Sequence, residues 1–307
     1  MSGLWPVLTG LPSTARWDFG GHPYGLEPLT LPQPGVWNGP PAGRREPASP
    51  VSLVGDFGVP AQLTTETVPA ENLYWFRWIT GHQVSFVLWR LIGHLVDEVR
   101  AGRLQPGEVV TPLRHHIRGY CGMLLYTGSC PRRTYELVIR PSMRLRHPAF
   151  SGSWAPDFWP VRDLLRGRRT VFTGLVEAAG LFEAVELHKL VHEMVAGRLV
   201  PDGESLLRRS TVRPWDLQVL RLLYDNYFLT VRAPVGEGAV VAQLLRRLVA
   251  IARDIDVNGL YPCGGDDDGR VWNADVAGCE VGLPRILDDV TNAAVHVPGA
   301  VVDAHPV

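Results

Sequence analysis

The stretch YWFRWITGHQVSFVLWRLIGHLVD, Tyr74 to Asp97, decides the fold. It lies in a segment, Glu71 to Arg103, with apolar residues at 75, 79, 84, 86, 88, 91, 92, 95 and 99. That spacing is close to the 3.6-residue period of an amphipathic helix. His82 sits inside it among aromatic and branched side chains, with Trp89 and His94 at helical distances. Burying an imidazole there costs free energy unless it has a partner or a task.

The pattern continues on both sides of this helix. The helix stops at Ala101-Gly102 and is followed by Gln105-Pro106-Gly107. Thr111-Pro112 then reads as a cap and first helical residue, opening a second helix that runs to near Met123. Pro131 opens another over Arg132–Ile139, and residues 140–160 read as a proline-punctuated loop. Further helices are expected over Val161–Leu165, Leu175–Leu199, Pro214–Val231 and Gly238–Val257, with one short strand near Ala300–Val302. The fold class is therefore mostly α. Three regions are expected: a Pro/Gly/Trp-rich N-terminal arm over 1–69, a helical core over 70–257 and an irregular tail over 258–307. The aromatic residues of the arm, Trp5, Trp17, Phe19, Trp37 and Phe57, favour an arm that packs on the body or on a second copy, hence a homodimer.

Composition narrows the function class. The formal net charge is −1, so no global field favours nucleic acid or an anionic membrane. No apolar run approaches the roughly 20 residues of a membrane span. The opening residues lack a basic segment followed by an apolar run, so no secretory signal is expected and a cytoplasmic setting is the default. Cys121, Cys130, Cys263 and Cys279 give neither a CxxC pair nor a disulfide framework. The acidic run Asp266–Asp268 lacks the spaced ligands of a calcium loop and reads as a solvated turn.

The histidines point to a cofactor. His82 and His94 lie on the first helix, His115 and His116 on the second, and His188 and His192 at i, i+4 on the Leu175–Leu199 helix. HKLVH lacks the glutamate that follows the first histidine in HExxH zinc hydrolases, which disfavours hydrolytic zinc. A haem, with one imidazole on a rigid helix and an apolar cavity, suits the pattern better.

His82 to Asp97 resembles the distal helix of tryptophan 2,3-dioxygenases, HQxYELWFKxIxHELD. His82, Gln83, Ile92, His94 and Asp97 coincide, and Arg90 falls on the family's Lys. Ser85 and Phe86 depart from it, and Trp89 stands one residue beyond the family's Trp. Thr111-Pro112, Ile117-Arg118 and Arg132-Arg133…Tyr135 resemble the family's TP…FR…QFR helix pair. His192, Val195, Arg198, Leu199 and Val200 resemble the HxxMVxRxIG segment that carries the proximal ligand. The GTGGSSG loop of that family is absent. The whole is similar to the haem-dependent tyrosine hydroxylases, a sister branch that converts L-tyrosine to L-DOPA in antibiotic biosynthesis.

This resemblance, over roughly residues 70–255, implies a tryptophan 2,3-dioxygenase-like helical bundle around a haem. His192 would ligate the iron, with His188 as the alternative; Trp89 and Phe86, with Trp78, would line the pocket. His82 would act as acid–base towards H2O2 and would orient the substrate phenol. Arg118 would hold the substrate carboxylate, with Arg132 or Arg133 second, and Ser210 and Thr211 would contact the substrate. His116 and Cys121 miss the HxxxC spacing of covalent attachment by one residue, so non-covalent haem b is expected. Expected partners are L-tyrosine and H2O2, or O2 with a reductant. Competing readings are a tryptophan-type oxygenase in the same pocket and a helical scaffold without haem, which an absorption spectrum would separate.

Overall fold

The computed structural model describes residues 18–19, 22–23, 25–36, 70–168, 170–200, 204–209, 216–262 and 272–296. The chain is mostly α, as expected. Seven helices of eight residues or more carry the described part: α1 (Ala70–Arg100), α2 (Pro106–Thr127), α3 (Ala179–Leu199), α4 (Leu217–Tyr227), α5 (Glu237–Asn258), α6 (Ala274–Val281) and α7 (Leu283–Val295). The expected strand near Ala300–Val302 lies outside the described residues.

α2 is the central helix, with α1, α3, α6 and α7 packed around it. α1 is apolar almost all round and buried along most of its length, as a helix enclosed on several sides must be. Two glycines allow close approach. A Cβ on Gly81 would stand 2.4 Å from the Thr127 methyl, and one on Gly119 would stand 2.4 Å from Val290. Neither contact is physically allowed, so both α1 and α7 close on α2 through glycine.

Several boundaries differ from the sequence reading, each for a local reason. α2 starts at Pro106 rather than Thr111-Pro112, because Gln105 and Glu108 form a reciprocal capping box around Pro106. Arg132–Thr134 does not end near Ile139. It runs through a π-helical turn, Tyr135–Ile139, into Arg140–Arg146. Pro141 cannot donate an i→i−4 bond, and the wider turn before it absorbs the missing donor. The 140–160 loop accordingly begins later and holds two 3₁₀ turns, Gly152–Trp154 and Pro156–Val161. The tail after Asn258, expected to be irregular, contains α6 and α7. Asn273 caps α6 by accepting from the Val276 N–H, and Pro284 sits in the first turn of α7. α7 then buries Leu283, Ile286, Leu287 and Val290 at helical spacing.

The arm was expected to pack on the body, but not to do so as a strand. β1 (Leu29–Leu31) pairs in parallel with β2 (Thr230–Arg232), so a segment of the N-terminal region is seated on the core. Gln243 on α5 brackets Thr30, donating to its carbonyl at 2.9 Å and accepting from its N–H at 2.8 Å. Arg90 on α1 donates to the carbonyls of Gln33 and Val36.

Buried ion networks lock the helices together. Arg77 on α1 pairs with Asp254 on α5 at 2.8 Å, and the Tyr126 hydroxyl of α2 donates to the same carboxylate at 2.7 Å. Arg232 bridges Asp157 and Asp225, each at 2.7 Å, and Arg90 approaches Asp157 at 3.4 Å. Charges this deeply buried persist only when paired.

Candidate functional site

The four-residue spacing of Trp78, His82 and Phe86 puts all three on one face of α1. The fold brings Phe228, at the end of α4, to that face. The Phe228 ring stacks on the imidazole at 4.5 Å and 20°, while Trp78 packs against it at 4.2 Å and 54°. Phe86 stands edge-on at 6.3 Å. Behind these lie Tyr135, edge-on to Trp78 at 6.0 Å, and Tyr227, whose hydroxyl accepts from Trp78 Nε1 at 3.2 Å. Tyr224 and Phe150 complete the aromatic wall against Phe228.

The tautomer of His82 follows from its one hydrogen bond. Nδ1 lies 2.7 Å from the Trp78 carbonyl, which can only accept, so Nδ1 carries the proton. Nε2 makes no hydrogen bond to another described residue, and the side chain keeps part of its surface accessible. Loss of hydration pushes its pKa down to about 4, opposed only by the Trp78 carbonyl. At neutral pH the ring is therefore uncharged and presents a lone pair at Nε2. A histidine whose Nδ1–H is fixed by a carbonyl is the usual arrangement for one that accepts or ligates through the other nitrogen.

The second imidazole group lies on α3. His188 is buried and stacks on Tyr120 of α2 at 4.8 Å and 26°, and the ring of His192 is 6.3 Å from it. Burial, and then the neighbouring His192, push His188 down to about 4; burial also lowers His192. His192 is nevertheless exposed. Ring contacts connect the two groups: Tyr120 to Trp89 at 5.1 Å, Trp89 to Phe86 at 5.6 Å, and Phe86 to His82. Trp89 and Phe86 thus form the wall between them. No recorded contact joins His82 directly to His188 or His192.

The other expected residues lie elsewhere. Arg118 is half-buried near His115, Cys121 and Cys279, on the side of α2 that faces α6. None of these residues surrounds His82. Arg132 is exposed and paired with Glu136 at 2.8 Å; its helix reaches the aromatic wall through Tyr135 instead. Arg133 is exposed. Ser210 and Thr211 lie outside the described residues. His115 faces Asp289 at 3.5 Å and His94 faces Glu98 at 3.7 Å, both ordinary surface pairs. Phe228, Tyr227, Tyr224 and Phe150 were missed. The run Tyr224-Asp225-Asn226-Tyr227-Phe228 is the densest aromatic signal outside α1 and was the available clue.

A match to a known family covers the α1 part of this site. A model of the SfmD 3-methyl-L-tyrosine peroxygenase family matches residues 9–186, more than half of the chain. The chain belongs to that family. The matched span contains α1 with His82 and all of α2, and stops just short of His188. No curated protein matches the chain. Membership makes this an oxidoreductase of a haem-dependent peroxygenase family.

The donor set fits a haem. His188 Nδ1 and Trp89 Nε1 are buried with no hydrogen-bond partner among the described residues. Such orphaned groups cost free energy unless something else engages them. Two neutral imidazoles on one helix face, beside an aromatic wall, supply nitrogen ligands with little competing charge. Among the described residues no cluster of three His, Cys, Asp or Glu gathers for a bare metal ion. Nor is any described helix long and apolar enough to cross a membrane.

Proposed function

We propose that this family member hydroxylates L-tyrosine at ring C3 to give L-DOPA, with H2O2 as oxidant, in antibiotic biosynthesis. The observation that carries the reading is His82: a neutral imidazole, fixed at Nδ1, free at Nε2, in an aromatic setting suited to a phenol ring. Non-covalent haem b would be held by His192, with His188 as the alternative. A ligand to a large planar group must be reachable, which favours the exposed His192 over the buried His188 stacked on Tyr120. Bound haem supplies the iron at which peroxide is activated for oxygen transfer.

The remaining work is done by side chains. His82 Nε2 takes a proton from the peroxide or accepts a hydrogen bond from the substrate phenol, and gives the proton back as the reaction closes. Its depressed pKa makes the protonated ring a readier proton donor than an ordinary imidazolium. Phe86, Trp89 and Trp78 exclude water and hold the aromatic ring. Ser210 and Thr211 remain the proposed contacts to the amino acid's polar end, whereas the surroundings of Arg118 and Arg132 place these two away from His82. A homodimer in the cytoplasm, with no nucleic-acid or membrane partner, completes the reading.

A second substrate is favoured by the family's own description, 3-methyl-L-tyrosine, which has the same phenol with a methyl beside it. The test is an absorption spectrum of the purified chain, followed by turnover of L-tyrosine and 3-methyl-L-tyrosine with H2O2. A Soret band and a product one oxygen heavier than L-tyrosine are expected. Oxygen added only to the methylated substrate moves the assignment to it, and the absence of a Soret band removes the reading altogether.

A further inference from the structure

The residue after His82 has no room to face the same pocket, and its environment shows what it does. Gln83 is 1 % exposed. Its Nε2 donates to the Phe228 carbonyl at 2.9 Å and to the Glu27 carbonyl at 3.0 Å, and its Oε1 accepts from Arg247 Nε at 2.8 Å. Arg247, 0 % exposed, donates in turn to the carbonyls of Gln243, Glu27 and Pro28 and lies 3.6 Å from the Glu27 carboxylate.

These bonds converge on one strained turn. Leu229 has φ +52°, a left-handed conformation that is costly for a side-chain-bearing residue and persists only where its surroundings enforce it. Its carbonyl accepts from the Leu29 N–H at 2.9 Å, and its own N–H donates to the Asn226 carbonyl at 3.2 Å. The two consecutive carbonyls, of Phe228 and Leu229, are therefore pinned by Gln83 and by the seated arm segment. The consequence is the placement of the Phe228 ring, flat on His82 and edge-on to Phe86 at 5.3 Å and to Tyr227 at 4.8 Å.

We propose that Gln83, Arg247 and Phe228 are positioning residues for His82. The two polar side chains fix the 228–229 turn, the turn fixes the Phe228 ring, and the ring keeps the imidazole from rotating off the Trp78 carbonyl, so that Nε2 stays free for the substrate. The arm segment around Glu27 is then part of the support of the site. This rests on His82 being the group that handles the proton. No charged group among the described residues acts on the imidazole. The tyrosines that pack on its aromatic neighbours, Tyr135, Tyr224 and Tyr227, are all pushed upward by burial and stay neutral.

The test is hydrogen exchange at the imidazole C2 position, followed by mass spectrometry across pH on the full chain. This reads the titration of His82 whether or not the chain turns over substrate. The parent midpoint is expected near 4. Phe228→Ala and Gln83→Leu are expected to raise it towards the ordinary 6.5, by roughly one pH unit or more, as the ring gains water. Phe228→Tyr, which keeps the stack, restores the parent value. Phe150→Leu, which perturbs the same wall without touching His82, leaves it unchanged. In the loaded enzyme Phe228→Ala lowers kcat more than it raises KM. An unmoved midpoint in Phe228→Ala, in a protein that melts as the parent does, overturns the proposal. If Gln83→Leu does not fold, the Phe228 pair decides alone. If His82→Ala turns over normally, the functional reading fails while the midpoint still reports on the positioning.

Discussion

The two imidazole groups of this protein are built differently. His82 is oriented by the chain itself: one nitrogen is committed to a backbone carbonyl, one face is covered by Phe228, and the other nitrogen is free. His188 and His192 are not oriented in this way. His188 has an orphaned Nδ1 and stacks on Tyr120, and His192 stands exposed beside it. A group that handles protons must be set before the substrate arrives, because a wrong tautomer or rotamer costs rate directly. A ligand can be set by the bond it forms. The contrast suits the α1 side to preorganised proton handling and, in the proposed function, the α3 side to holding the cofactor.

The largest expected effect breaks the α3 side. His192→Ala should abolish the Soret band of the purified protein, whereas His188→Ala should retain it; the reverse result exchanges the two roles. Next comes the α1 side. His82→Ala should keep the Soret band and lower turnover about 10²–10⁴-fold, measured with L-tyrosine and H2O2; an unchanged rate removes His82 from the chemistry. The rigidity of that side can be challenged through Asp157, which sits between Arg232 at 2.7 Å and Arg90 at 3.4 Å. Asp157→Ala leaves two buried guanidinium groups short of charge and should cost about 3–5 kcal/mol in denaturant unfolding. The smallest effect concerns acid. His82 is held below its ordinary 6.5, at about 4, so the unfolded chain takes up its proton first as pH falls. Stability is therefore full above pH 6.5 and declines down to about 4. Between pH 7 and pH 5 the parent should lose about 2 kcal/mol more than His82→Ala, read from urea melts at both values.

How much of this could be read beforehand depended on range. The helical face Trp78–His82–Phe86 is a local property of spacing, and α1, α3 and α5 were legible from the same period. α6 and α7 were hidden by the Gly- and Asp-rich residues before them, although Asn273 and Pro284 carried ordinary helix-start signals. Residues 140–160 read as a proline-punctuated loop because the π-helical turn that lets Arg140–Arg146 continue through Pro141 depends on neighbours. Arg118 and Arg132 were singled out by motif position. Their recorded contacts place Arg118 beside Cys279 and Arg132 on Glu136, since a motif fixes the helix but not what a long side chain meets.

The amino-acid sequence by itself determined that the chain is helical and that His82 shares its face with two aromatic rings, while the enclosure of α1 came from the structure. The first two follow from a period of 3.6 residues and need no distant partner. Only the tertiary structure decided that Phe228 lies on His82, that Gln83 holds the turn behind it, and that a strand of the arm closes the arrangement. Those contacts span 56 to 220 residues of chain, and at that range the path of the backbone, rather than any local pattern, determines which side chains meet.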